Sequence, residues 1–174
     1  IVENNPIAAL GNNIFSTENL LKIFIKKNVE KFVLISSDKA VQPTNLMGIT
    51  KRICELLAKK YSTLTKINQK IISVRFGNVA GSSGSVIPLF LENIRKNEDL
   101  IVKGEETNRY FMSTDEASFL VAMSLNTNCE NGDVLFLDMG KSFNIKKLAE
   151  KILTLFPHSK SKIVISNLDY NEKI

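Results

Sequence analysis

Apolar residues recur at largely helical spacing over residues 6–27, at Ile7, Leu10, Ile14, Leu20, Leu21, Phe24 and Ile25, and this predicts a helix. The pattern then changes. Residues 31–36, KFVLIS, form a short apolar run without alternation, which predicts a strand buried on both faces. After a polar loop containing Pro43, residues 46–61 return to helical spacing, with Leu46, Ile49, Ile53, Leu56 and Leu57 on one side. Residues 70–76 predict a second buried strand. A Gly/Ser loop over 77–85 leads into a helix around 88–96, a short strand near 100–103, a helix over 114–125 and a strand over 133–137. Asn144 is a predicted N-cap for a helix over 145–156, and a last strand is predicted over 162–166.

Strands and helices alternating at this spacing predict an α/β fold on a mainly parallel sheet. In such folds ligands sit beyond the carboxyl ends of the strands. The residues just after Ile35 and Phe76 are therefore where chemistry is expected. The 174 residues suffice for one domain, or for one domain and part of another.

Composition narrows the function classes. With 7% aromatic residues and no Trp, stacking platforms for single-stranded nucleic acid are not expected. The net charge of +5 comes from lysine pairs such as Lys26-Lys27, Lys59-Lys60 and Lys146-Lys147, which read as solvated helix faces rather than a nucleic-acid patch. Cys54, Cys129 and the single His158 lack metal-ligand spacing, so no metal site is expected. Both thiols read as reduced, as in a cytoplasmic protein. No stretch reaches transmembrane length and no signal peptide opens the chain.

Ser36-Ser37-Asp38-Lys39 follows the first predicted strand and offers a hydroxyl, a carboxyl and an amine at a ligand-binding edge. Alone, such a loop is more often a turn. Lys51 lies one helical turn beyond Met47. A lone helical lysine says little. Taken together, residues 36–52, SSDKAVQPTNLMGITKR, closely resemble the active-site segment of extended short-chain dehydrogenases/reductases. The similarity is greatest to the polysaccharide-biosynthesis (CapD-like) branch that includes UDP-N-acetylglucosamine 4,6-dehydratases. Most of that superfamily opens the helix with Y-x-x-x-K. Here Met47 stands at the tyrosine position and Lys51 at the lysine, as in the long, membrane-associated members of the branch.

The resemblance extends along the chain. Asn13 within GNNIFST, residues 74–88 (VRFGNVAGSSGSVIP), residues 107–112 (TNRYFM) and residues 134–140 (VLFLDMG) all look like family segments in the family's order. The terminal NLDYNEKI resembles a degraded G-L-R-P-G-E-K-L, with Asp169 and Tyr170 in place of Arg and Pro. Gly77, Gly81 and Gly84 do not have G-x-G-x-x-G spacing and read as a loop that lets backbone approach the substrate. The dinucleotide fingerprint is absent from this chain and is expected N-terminal to Ile1. The resemblance thus implies a Rossmann-like fold, with residues 1–78 the second half of an NAD-binding domain. Residues 79–174 would be a truncated substrate-binding region with returning sheet elements.

For chemistry the resemblance implies NAD as cofactor and a UDP-sugar as substrate. Hydride leaves sugar carbon 4, water leaves across carbons 5 and 6, and the hydride returns to carbon 6. In this scheme Lys39 is the base at carbon 5, Asp38 the acid for the departing hydroxyl, and Ser37 bonds the oxygen at carbon 4. Lys51 holds the nicotinamide ribose and Met47 packs beside the ring. Asn13 and Ser36 complete the cofactor set, while Asn78, Ser85 and Arg109 bind the nucleotide-sugar. Arg75 is expected to be structural. Lys39 and Lys51 are expected to converge on one nicotinamide ring.

Three other readings remain in view: a nucleotide-sugar 4-epimerase, a 5-epimerising dehydratase, and a non-catalytic fragment without the cofactor loop. A homo-oligomer of the full-length protein is implied, as is a membrane tether only outside this chain. The cytoplasm, or the cytoplasmic face of the inner membrane, is the implied location.

Overall fold

The computed structural model describes residues 3, 5–82 and 85–167. In chain order its elements are α1 (Pro6–Ala9), a π-helical turn (Leu10–Phe15), α2 (Ser16–Lys27), β1 (Lys31–Ile35), a 3₁₀ turn (Asp38–Ala40), α3 (Leu46–Ser62), β2 (Lys70–Arg75) and β3 (Asn78–Val79). They continue as α4 (Val86–Lys96), β4 (Leu100–Lys103), β5 (Asn108–Arg109), β6 (Phe111–Met112), α5 (Thr114–Ser124), β7 (Val134–Phe136), β8 (Phe143–Asn144), α6 (Ile145–Thr154) and β9 (Ile163–Ser166). The fold is α/β with mainly parallel strands, as the alternation of patterns predicts. The reading of residues 167–174 falls, from Leu168 onward, outside the described residues, as does Gly84.

The chain forms two compact units, Ile1–Phe76 with Ser118–Asp138, and Gly77–Ala117 with Met139–Ile174. In the first, β1, β2 and β7 make a parallel sheet in the order β1-β2-β7. Its core gathers Leu21 and Phe24 from α2, Leu34 from β1, Cys54, Ala58 and Tyr61 from α3, and Ile71 from β2. Leu21 and Ile71 are fully buried, each worth about 1.5–3 kcal/mol relative to exposure. In the second unit, parallel β4 and β9 pack with α4 and α6 around Phe90, Ile94, Leu100, Val102, Ile145, Ala149 and Ile152. Asn144 caps α6 as expected, its side chain accepting from the Lys147 amide at 3.0 Å.

Three expectations need correction. The helix over 6–27 is interrupted by the π turn, which widens the chain at Gly11, Asn12 and Asn13. β2 is buried along its middle, but β1 is not buried on both faces: Lys31 and Ile35 are exposed and only Leu34 is buried. Among the described residues β1 pairs with β2 alone, and its apolar run marks a strand without marking full enclosure. In α3, the predicted apolar stripe is not the buried face. Ile49 and Leu56 are 42% and 50% exposed, while Gly48, Thr50, Cys54, Glu55, Ala58, Tyr61 and Ser62 face inward. Small residues win the inner face because the helix lies close on its neighbours, and the carboxylate among them is held by charge.

Among the described residues no helix is long and apolar enough to cross a membrane, and no group of three or more His, Cys, Asp or Glu could hold a metal ion.

Candidate active site

The site grows from the tip of β1. Pairing with β2 continues beyond Ile35, through the Ser36 amide to the Val74 carbonyl at 2.8 Å and the Asp38 amide to the Phe76 carbonyl at 3.0 Å. This pins the 3₁₀ turn to the carboxyl edge of the sheet, where ligands bind in such folds. Within the turn, Ser37 Oγ accepts from the Lys39 amide at 3.3 Å and donates to Asp38 Oδ1 at 3.0 Å. Lys39 Nζ donates to the same Oδ1 at 3.1 Å. Hydroxyl, carboxylate and ammonium thus share one oxygen. The Lys39 and Asp38 side chains are 29% and 30% exposed, sheltered from bulk water without being sealed from a ligand.

The first turn of α3 lies against this one. Its free amides are satisfied by the Asn45 side chain on Gly48 at 2.8 Å and by the Glu3 carboxylate on Leu46 and Met47 at 3.0 and 3.1 Å, an arrangement that suits the positive end of the helix. At Gly48 a Cβ would stand 2.3 Å from the Lys39 carbonyl oxygen. The turn carrying Lys39 therefore rests directly on the helix. One turn further, Lys51 Nζ donates to the Ile35 carbonyl at 3.0 Å. The β1 tip and the opening of α3 come together, with Lys51 on the last residue of the strand and half-buried Met47 one helical turn before Lys51.

The side chains of Asn13 and Ser36, two residues expected in the cofactor set, make hydrogen bonds within the protein. The Asn13 amide donates to Thr50 Oγ1 at 2.9 Å, and Thr50 donates to the Met47 carbonyl at 3.0 Å. Asn13 thereby braces the helix opening from the π turn, a kind of distortion frequent at functional sites. Its carbonyl takes the Cys54 thiol at 3.2 Å, and burial pushes that thiol's pKa up. Ser36 Oγ donates to Glu55 Oε1 at 2.5 Å. A hydroxyl 4% exposed must find a partner inside, and a carboxylate is a strong one.

Glu55 does not stand out in the sequence. Its side chain is 1% exposed and accepts from Arg75 Nε at 2.7 Å, Arg75 Nη2 at 2.6 Å and Arg52 Nη1 at 3.0 Å, besides Ser36. Burial alone would raise its pKa, but the bonds from Arg75, Ser36 and Arg52 outweigh it and hold the carboxyl below its ordinary value of 4.5. A depressed folded value gives stability that is complete above the unfolded value and is lost as pH falls through the folded one. The stability gap between wild type and Glu55→Gln is therefore expected to be widest near neutrality and to shrink below pH 4.5. Urea denaturation across that range checks it; a constant gap would contradict it.

In the second unit, the backbone N–H of Asn78 donates to the Tyr110 carbonyl at 3.1 Å in the β3–β6 pairing. Arg109 lies in β5, its Nη1 on the Asn108 carbonyl at 2.9 Å. Ser85 stands at the N-cap of α4 without a side-chain cap bond, and its buried hydroxyl has no partner among the described residues. A buried orphan hydroxyl next to a helix N-terminus suits a polar ligand.

The family described as polysaccharide biosynthesis protein matches residues 1–173. Over 157 residues the chain is 44% identical to the capsular polysaccharide biosynthesis protein CapD of Staphylococcus aureus, covering 89% of this chain and 26% of that protein. It is 34% identical over 169 residues to a UDP-glucose 4-epimerase of Rickettsia canadensis, covering 97% of this chain and 49% of the epimerase. Among solved structures, that of Pen from Bacillus thuringiensis is similar with a TM-score of 0.89 at 34% identity, over 99% of this chain and 54% of that one. The chain spans from about a quarter to about half the length of these relatives.

Proposed function

The chain belongs to the polysaccharide biosynthesis protein family, and from that premise we propose that the complete protein is an NAD-dependent nucleotide-sugar 4,6-dehydratase acting on UDP-N-acetylglucosamine. The observation that carries the reading is the Ser37–Asp38–Lys39 group sharing one carboxylate oxygen at the β1 tip. An epimerase needs a proton moved only at the oxygen on carbon 4. A dehydratase also needs a base for carbon 5 and an acid for the hydroxyl on carbon 6, and the Asp38–Lys39 pair supplies both.

Proton transfer along the 3.1 Å contact between Lys39 and Asp38 sets an amine and a carboxylic acid side by side, with no change in net charge. Lys39 then takes the carbon 5 proton, Asp38 delivers one to the departing hydroxyl, and Ser37 hydrogen-bonds the oxygen on carbon 4. When bound, a nicotinamide supplies the acceptor for hydride from carbon 4 and the donor to carbon 6. Lys51, on the strand tip, and Met47, one helical turn before it, would hold its ribose and ring. Asn13 and Ser36 would serve from behind, through Thr50 and Glu55. Asn78, Ser85 and Arg109 are the residues proposed for the nucleotide-sugar, Arg109 through the two-pronged bonds that guanidinium makes to phosphate.

The identity with a UDP-glucose 4-epimerase favours a second reading, in which the sugar is inverted at carbon 4 and keeps its carbon 6 hydroxyl. Met47 in the tyrosine position weighs against it, because methionine cannot exchange a proton. Incubating the complete protein with UDP-N-acetylglucosamine and following the sugar by NMR separates the two. A 4-keto-6-deoxy product is expected. A 4-epimer with its carbon 6 hydroxyl intact would assign the protein to the epimerases, and a 5-inverted keto product to the 5-epimerising dehydratases.

A further inference from the structure

The carboxylate of Glu55 accepts from four donors, Ser36 Oγ and Arg75 Nε on Oε1, and Arg52 Nη1 and Arg75 Nη2 on Oε2. An ionised carboxylate offers about four acceptor positions. All are taken, so Glu55 has no capacity left for a substrate. What it holds is nevertheless the site. Ser36 lies between Ile35, whose carbonyl takes Lys51 at 3.0 Å, and Ser37, where the Ser-Asp-Lys group begins. Lys51 and Glu55 are one helical turn apart on α3, and they grip consecutive residues of the β1 tip. Arg75, at the end of β2, brings the neighbouring strand tip to the same carboxylate.

A buried ion pair made only for stability would need Arg75. The 2.5 Å bond from Ser36 satisfies a buried hydroxyl and at the same time ties the strand tip to α3. Two side-chain bonds from one helix to two successive strand residues fix both the height and the rotation of the strand tip relative to that helix. Sliding β1 by one residue would break both. We propose that Glu55, acting through Ser36, is a positioning residue that sets the Ser37–Lys39 turn against Lys51 and the opening of α3. Its value for catalysis rests on the dehydratase reading; its mechanical part does not.

The test uses the complete protein. Ser36→Ala removes one bond and leaves the Arg75 and Arg52 pairing of Glu55 in place, so it disturbs the fold less than Glu55→Gln. Hydrogen exchange followed by mass spectrometry is expected to show faster exchange, by about tenfold or more, in the peptide spanning Ser37–Lys39. Peptides from β2 and the C-terminal half of α3 should keep wild-type rates. Turnover of whatever nucleotide-sugar reaction the wild type performs is expected to fall by about 10- to 100-fold, with KM and nicotinamide affinity within about threefold of wild type. Exchange that stays at the wild-type rate in the turn, or that rises evenly across the unit, would overturn the proposal, as would unchanged kcat. A wild type that epimerises instead of dehydrating would sink the functional reading alone, since the exchange measurement needs no reaction.

Discussion

In the complete protein, Lys39→Ala is expected to end solvent deuterium exchange at sugar carbon 5 and to lower turnover by about 10²- to 10⁴-fold, the usual worth of a positioned proton-transfer group. Nicotinamide binding should be unchanged, because the residue proposed for the ribose is Lys51, whose ammonium sits on the Ile35 carbonyl. Removing Lys39 also strips Asp38 of the ammonium 3.1 Å away, so the alanine variant alone does not separate base from counter-ion. Lys39→Arg does. Guanidinium keeps the positive charge on Asp38 but does not surrender its proton in proteins. It should be as inactive as alanine if Lys39 is the base, and substantially active if its charge alone matters. Deuterium incorporation read by NMR and nicotinamide affinity read by calorimetry check the two halves. Exchange at the wild-type rate in Lys39→Ala would remove Lys39 from the chemistry.

The strong periodicities were legible: the helices at 46–61, 88–96 and 145–156 and the strands at 31–36, 70–76 and 162–166 all have counterparts within a few residues. The two-residue strands β3, β5, β6 and β8 were not, because so short a segment has no period to detect. The inner face of α3 was misread because apolarity was taken as the signal for burial. Close approach at Gly48 and ionic pairing at Glu55 decided it instead. The turn at Ser36–Lys39 was legible from its position after a strand and from its likeness to a known segment. The inward turn of Ser36 and Asn13 was not, since a hydroxyl or amide reads the same in sequence whether its partner is a ligand or a neighbouring helix. Glu55 left one trace, a carboxylate one turn after Lys51 on the same helix, with an arginine closing the next strand. Only the fold brings Arg75 and Glu55 together.

That same close approach makes Gly48 the position where the smallest change should do most damage to the site. In a helix interior Gly→Ala stabilises by about 1 kcal/mol, through propensity, and at Gly48, in the first turn of α3, the gain is smaller. Here the added methyl would stand 2.3 Å from the Lys39 carbonyl oxygen, 3.1 Å from its carbon and 3.1 Å from Pro43 Cβ. The nearest atom is backbone, so no side-chain rotation relieves it. Either α3 or the Ser37–Lys39 turn must give way by roughly 1 Å, a misplacement on the scale that costs about 10²-fold in rate. Overpacking of this kind costs about 1–3 kcal/mol, which cancels or exceeds the propensity gain. Gly48→Ala is therefore expected to lose about 10²-fold in kcat for a modest fall in denaturation midpoint. Gly11→Ala is the control, for a methyl there meets nothing within 4 Å, and its stability and turnover should match wild type or slightly exceed it in stability. If Gly48→Ala keeps wild-type turnover, the Lys39 turn can move off the helix without consequence, and its contact with α3 does not set the geometry of the reaction.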